Sequence, residues 1–504
     1  MPGGLIQLSA SGAENDYIIT KPQITFFKSV FKRHTNFSIE TIDVQFPNSG
    51  DILDISRTIF KTKVPRNGDL MSNLAVVIDL PDIISNKYKD FRWVPNLGEA
   101  LIHRIAFYIA GQKIEEMDSN WLNIWSNTHL SEGKKKVYDN LICNTEEFTN
   151  PELYHYNNTN NNYYPPYNNN TDNMGPFRPS IVGKQLYVPI PFWFTQEIGL
   201  AVPIIGLQYH EIEIEVEFRA LSDLFTVNYY NNTVFQKRSK PFPGTNERLL
   251  NFVYNPAINY SQMGNNFNTE ELQNINTNNA YNLNPRLAID YVFLGEEERM
   301  AFAKMTHEYV IRKVNRTTDE GLQPNSFHMP NLYHPMSEIF WVYQRSDVDS
   351  RNDWHNYSNL LNEKKSFYHN QNEWLTDTEL TDLQTGIIQS NWTKYNPEIL
   401  NSAKIQFNNQ DRIDEKNSRY FSNYHSYLFH SNGDNYIYNY SFAVDPEKYQ
   451  PTGSVNMTGL PNFTLVSNVI TPYSGNYSFN LFMYHITYNV LKIMGGMGSL
   501  GFSI

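Results

Sequence analysis

Near its C-terminal end the chain carries Gly496-Met497-Gly498-Ser499-Leu500-Gly501, a literal GxGxxG directly after an alternating strand pattern. That spacing binds a dinucleotide only when a helix N-terminus follows to receive the pyrophosphate. Three residues follow Gly501 in this sequence, so no cofactor is expected there. The glycines read instead as a tight segment lying against other backbone. Histidines stand at 103, 129, 210, 307, 328, 334, 355 and 369, none in HExxH, HxxEH or Cys/His spacing. His210–Glu211 and His307–Glu308 are adjacent pairs within strand patterns, so their side chains point to opposite faces. No metal is expected from them. No GxSxG, P-loop or Cys/His signature is present, and nothing selects a carboxylate pair of the kind a glycosidase needs. No catalytic residue is therefore assigned. Lys134–Lys136 is an isolated basic run, expected to be a solvated turn.

The chain also holds many Asn-x-Ser/Thr sequons. In a sequence this rich in Asn most arise from composition. Those at Asn157, Asn169, Asn231, Asn259, Asn356 and Asn391 fall in polar inserts, where a glycan has room. They are the candidate modification sites.

The clearest structural signal is Lys184–Arg219. From His210 onward Ile212, Ile214, Val216 and Phe218 share one parity, and Glu211, Glu213, Glu215, Glu217 and Arg219 the other. A period of two gives a strand with one buried and one wet face, as in an antiparallel sandwich. Tyr187–Phe194 is also expected to be extended. Pro189 and Pro191 lie on one parity, so that edge should lack a full ladder. Phe192, Trp193 and Phe194 need a large apolar surface, either a domain core or a neighbouring copy.

A chain of 504 residues, 40% hydrophobic and 14% aromatic, suits two or more domains with large cores. Gly and Pro, 25 and 26 in number, supply the turns of an all-β chain. A net charge of −12 argues against wrapping nucleic acid. Cys143 is the single cysteine, which excludes an intrachain disulfide and suits a reducing compartment. No signal peptide and no apolar run long enough to span a membrane is seen.

Along the chain, residues 1–24 read as an arm. Strand patterns follow in Ile24–Phe46, Leu74–Leu80 and Ile105–Ile109, with a helix over Glu115–Leu130. Asn- and Tyr-rich inserts occupy 145–180, 226–285 and 345–415, expected on an outward-facing side. Strands resume at Arg286–Leu294, His307–Val314, Glu338–Gln344, Ser426–Phe429, Tyr436–Val444 and Phe463–Ile470, with a short helix at Glu296–Lys304. In Phe479–Ile493, Phe482, Tyr484, Ile486, Tyr488 and Val490 share a face. The halves suggest a repeat in which 479–493 answers to 210–219. The division expected is an arm (1–24), a first domain (25–225) and a second (226–504).

Several segments, in order, resemble the major capsid protein family of the nucleo-cytoplasmic large DNA viruses. They are GGLIQLSASGAENDYIITKPQITFFKSVFKRHTNF (Gly3–Phe37), FYIAGQKIEEMDSNWLNIW (Phe107–Trp125), VPIPFWF with GLAVPIIGLQYHEIEIEVEFR (to Arg219), DYVFLGEEERMAFAKMTHEYVI (Asp290–Ile311), YSFAVDPEKYQPTGSVNM (Tyr440–Met457) and YNVLKIMGGMGSLGFS (Tyr488–Ser503). The long inserts depart from the family pattern. The resemblance implies an all-β double jelly roll: two tandem eight-stranded antiparallel sandwiches with long inserts and a few short helices. It implies a homotrimeric, pseudo-hexagonal capsomer in an icosahedral shell, made in the host cytoplasm. Its partners would be neighbouring capsomers, minor capsid and penton proteins, and glycans on outer loops. Nucleic acid would not be bound directly, and the arm would lie on the inner side, where a viral membrane can underlie the shell. The rival reading is a jelly-roll protein that binds or cleaves carbohydrate, since Tyr- and Trp-bearing loops also suit sugars.

Overall fold

In the computed structural model the alternating strand Ile212–Phe218 lies inside a four-stranded sheet, its Ile/Val/Phe side buried and its Glu side half-buried. The structure describes residues 3–10, 12–47, 50–84, 89–149, 179–231, 234–235, 240–241, 248–253, 280–359, 397–460, 462–472 and 477–502.

Eight strands build a first sandwich: β1 (Phe37–Gln45), β2 (Thr58–Lys63), β3 (Leu70–Asp79), β4 (Ile102–Ile109), β5 (Gln112–Asp118), β6 (Gln185–Pro189), β7 (Ile212–Phe218) and β8 (Arg286–Leu294). One sheet has the order β1-β8-β3-β6 and the other β2-β7-β4-β5, all pairs antiparallel. Eight more build a second: β9 (His307–Asp319), β10 (Ser326–His328), β11 (Pro335–Arg345), β12 (Leu400–Phe407), β13 (Gln410–Asn417), β14 (Tyr438–Ser441), β15 (Phe463–Val469) and β16 (Phe479–Met494). Their orders, β9-β16-β11-β14 and β10-β15-β12-β13, repeat the first pattern strand for strand. This is the jelly-roll arrangement, twice, and the double jelly roll expected from the resemblance is found. A further short strand, β17 (Met497–Leu500), folds back on β16.

The pairing corrects the expected boundaries. β8 is bonded to β1 on one side and β3 on the other, so the first sandwich closes at Leu294 and not at 225. The counterpart of β16 is β8, and that of β7 is β15. The repeat is real, but the expected register matched the wrong strands. Parts of the 226–285 segment are packed: Val227 is fully buried, and Phe252 sits 5.2 Å from the ring of Phe91. The 345–415 segment likewise contains β12 and most of β13. The arm runs past residue 24 up to β1, and carries two short helices, α1 (Gly3–Ser9) and α2 (Ala13–Ile19).

Local chemistry explains other differences. The helix expected from Glu115 starts later, because Asp118 ends β5 and its carboxylate accepts from Trp121 N at 2.9 Å, capping α3 (Ser119–Thr128). Lys134–Lys136 lie in a helix, α4 (Glu132–Leu141), not a turn; Lys135 reaches back to Ser126 and Asp139. Ser426–Phe429 is helical, not extended. The extended run from Tyr187 ends at Pro189, where β6 is an edge strand, as a proline at its end suits. A helical turn, Trp193–Gln196, then folds the aromatic run inward.

Phe192, Trp193 and Phe194 are fully buried around Phe107. The open question about this run is resolved in favour of the domain core. The faces of β16 also differ from expectation. Phe479, Leu481 and Met483 enter the second core, whereas Tyr484 and Ile486 join the larger core that contains the first sandwich. Phe482, Tyr488 and Val490 are only half-buried.

Candidate functional site

The fold gives the chain its most developed chemistry where the two sandwiches meet. α3 leans on β11 and β16: Trp121 makes edge contact with Phe340 at 5.6 Å and lies 5.5 Å from Tyr484. One continuous apolar cluster holds residues of both sandwiches, including Leu122, Phe340, Tyr484 and Ile486. Polar bonds fix the register. Asp118 accepts from Arg316 at 2.7 Å and from the Tyr484 hydroxyl at 2.8 Å. Val314 N donates to Glu115 at 3.3 Å. Asn352 donates to the carbonyls of Ser222 and Phe225, both at 2.8 Å, and the Trp354 indole to Asp223 O at 2.8 Å. The Arg219 guanidinium stacks 3.8 Å from the Trp354 ring centre.

Within this seam lies a desolvated charge cluster. Arg312 donates to Glu338 at 2.7 Å, and both are buried. His430 sits 3.6 Å from Glu338 and 3.6 Å from Glu447, with His129 across from it at 5.5 Å between ring centres. Burial pushes Glu338 up, against the pull of His430 and Arg312. Burial, His430 and Arg312 hold His129 well below the usual histidine range. Aromatic packing closes the cluster around Glu338 and His430, with Glu447 reaching solvent at its edge, and His129 joins it from the first sandwich. Among the described residues no group of three or more His, Cys, Asp and Glu is arranged to hold a metal ion.

The glycine-rich segment forms the turn between β16 and β17. Gly496 O accepts from Tyr209 N at 3.0 Å, and Gly498 N donates to His210 Nδ1 at 3.0 Å. A Cβ on Gly498 would stand 2.8 Å from a methyl of buried Leu207 and 3.4 Å from Ile109. The tight segment expected against backbone is therefore found, and what it meets is the first sandwich. Gly498→Ala is expected to cost about 1–3 kcal/mol through overpacking, read as a lower urea midpoint. An unchanged midpoint would mean that Leu207 has room to move.

Of the candidate sequons, Asn157, Asn169, Asn259 and Asn391 lie outside the described residues, and Asn231 is placed only as part of a strand, Phe225–Asn231. Asn356 is 1% exposed, its amide donating to Asp353 at 2.7 Å. A glycan on that nitrogen has no space in the folded chain, so this candidate is corrected. The sequence signal, an insert rich in Asn, did not reveal that residues 351–359 pack into the seam.

Two jelly rolls of identical strand order, fused by an apolar seam, define a double jelly-roll protein. The model for "Major capsid protein N-terminus" matches residues 25–295, and that for "Large eukaryotic DNA virus major capsid protein" matches residues 298–499. The chain therefore belongs to the major capsid protein family of large eukaryotic DNA viruses. It is 28% identical to the major capsid protein of Phaeocystis pouchetii virus and 27% identical to that of Paramecium bursaria Chlorella virus 1, each over the whole of both chains. Among solved structures, a chain of the PBCV-1 virus capsid superposes with a TM-score of 0.63 at 23% identity, covering 95% of this chain and all of the other. The Faustovirus major capsid protein gives 0.61 at 11% identity, covering 97% and 96%. The two models meet at 295–298, where the pairing of β8 closes the first sandwich. The protein is a structural component of the viral capsid shell and not an enzyme, and the carbohydrate reading finds no support.

Proposed function

We propose that three copies of this chain form a capsomer in which six similar sandwiches make a near-hexagonal block that tiles a flat facet. The observation that carries this is the strand-for-strand repeat of the sandwich, locked by the seam: three chains present six equivalent lobes to their neighbours. The units of assembly are the arm up to residue 36, the sandwich 37–294 and the sandwich 307–494. Light scattering at physiological salt should return a trimer, and a monodisperse particle near the chain mass of 58.8 kDa would overturn the reading.

On the same reading the shell is completed by minor capsid and penton proteins and put together in the host cytoplasm. The long inserts face outward except where residues 351–359, the strands β12 and β13 and the packed part around Phe252 join the sandwiches and the seam. Their sequons at Asn157, Asn169, Asn231, Asn259 and Asn391 are the remaining positions for glycans, to which intact-mass measurement of virion protein is the direct check. Support for glycans rests on the polarity of those segments alone.

A further inference from the structure

Among the described residues, the arm leading into β1 exposes a dense run of large apolar side chains. Phe26, Phe27 and Phe31 are 90%, 99% and 89% exposed, with Ile24 and Val30 beside them. It is also the chain's charge exception. Between Tyr17 and Ile39 stand Lys21, Lys28, Lys32 and Arg33 and no acid, in a protein of net charge −12. Rings and cations this exposed need a surface that is apolar and acidic at once.

The first sandwich has such a surface, unfilled. On the outward face of the β1-β8-β3-β6 sheet, Ala288 and Ala75 stand on neighbouring strands and are register partners. Two side chains this small leave a dent, which Trp125, Tyr187, Pro189 and Pro191 wall into a cleft of about 340 Å³. One end is closed by Asp290, whose carboxylate accepts from Thr41 at 2.6 Å and Asn73 at 2.8 Å. Among the described residues no Lys or Arg pairs with Asp290. The same face carries Asp43 and Asp79, which share the single guanidinium of Arg286 at 3.1 and 3.0 Å, so it is acidic overall.

We infer that the cleft of one copy receives the arm segment Ile24–Arg33 of a second copy, a phenylalanine ring lying over Ala75 and Ala288 and a cation of the arm directed to Asp290. Charge complementarity selects this occupant: the arm is basic, and the remainder of the chain, which every neighbour presents, is acidic. Where the arm leaves its own β1 it is exposed throughout, free to cross to a neighbour. The inference rests on the assembly of like chains proposed above and names one contact by which they hold each other.

The test uses the full chain with p-benzoylphenylalanine in place of Phe27, mixed with ¹⁵N-labelled chain, irradiated and mapped by mass spectrometry. Crosslinks are expected between light and heavy chains, in the peptides that hold Trp125 or Tyr187–Pro191. Asp290→Lys in the acceptor should lower their yield at least tenfold, and Ala75→Phe, which fills the dent, should do the same while the melting temperature is unchanged. Raised salt should weaken the contact. Crosslinks confined to one isotopic chain, or mapping elsewhere in an assembled particle, overturn this inference and leave the capsomer intact. Transfer of the crosslink to phosphatidylserine when vesicles are added would assign the arm to lipid and also overturn it. A sample that scatters as a 58.8 kDa particle overturns the capsomer reading, and this contact with it.

Discussion

Removing residues 479–504 is expected to abolish cooperative folding, not merely assembly. β16 is central in its sheet, bonded to β9 along its length on one side and to β11 on the other. Phe479, Leu481 and Met483 fill the second core, and Tyr484, Ile486, Leu491 and Ile493 fill the seam. Full burial of side chains of this size is worth roughly 1.5–3 kcal/mol each, so the seven contribute on the order of 10–20 kcal/mol before a discount for a compact unfolded state. A domain retains only about 5–15 kcal/mol of net stability. Deletion would also open two inner strand edges to pairing with other chains and detach the turn that Tyr209 and His210 hold. Calorimetry of the truncated chain should show aggregation or loss of the transition. Recovery of a soluble monomer with an undiminished melting transition would show that β16 is dispensable.

The second large effect is a stability maximum near pH 6.5 with a steep acid limb. Burial pushes His485 down to about 4 and, with His430 nearby, His425 to about 4. Burial and then the cations Arg219, Arg57, Arg316 and Arg104 lower His103 to about 3. His129 is also held low. The unfolded chain takes up these protons below about pH 6.5 and the folded chain refuses them. Their contribution is complete above that pH and is lost as pH falls toward 4. Buried acids oppose it, Glu338 among them, which burial also raises. Burial raises Glu115 to about 8 and Asp353 to about 6, so the folded state keeps protons that the unfolded state has released.

Between pH 5 and 6 the buried histidines outweigh the buried carboxyls, so the unfolded chain holds more protons than the folded one. Each net proton lowers stability by about 1.4 kcal/mol per pH unit. Between about pH 6.5 and 8 Glu115 is still changing, and stability declines by roughly 2 kcal/mol. Urea midpoints from pH 4.5 to 9 should trace this asymmetric dome. Glu115→Gln, which keeps an acceptor for Val314 N, should remove the alkaline limb and leave the acid limb. A flat profile, or a Gln variant with the wild-type alkaline limb, would contradict the assignment.

Much of this was legible in the residues themselves. The alternation through Ile212–Phe218 specifies a one-sided strand because side chains on a strand alternate faces regardless of context. Pro189 disfavours an inner position for β6 because it cannot donate to a ladder, and Pro191 lies just past the strand's end. The glycines at 496 and 498 indicated close backbone approach, and found it. Family membership was also readable, from segments in order along the whole chain.

Only the tertiary structure decided which strands belong together. β8 lies more than 200 residues from β1 and β3, its partners in the sheet, and a period of two carries no address for a partner. The division at 225 followed a change in composition, whereas the sandwich closes only when its last strand pairs with its first. The burial of β16 could not be ranked from its residue types, because both faces carry apolar residues and one face serves two cores: Phe479, Leu481 and Met483 fill the second core, whereas Leu491 and Ile493 on the same face join the larger one. Asn352 and Trp354 looked like insert residues for the same reason: burial is set by what packs against a segment, and that surface comes from Ser222, Asp223 and Phe225, on the far side of the seam.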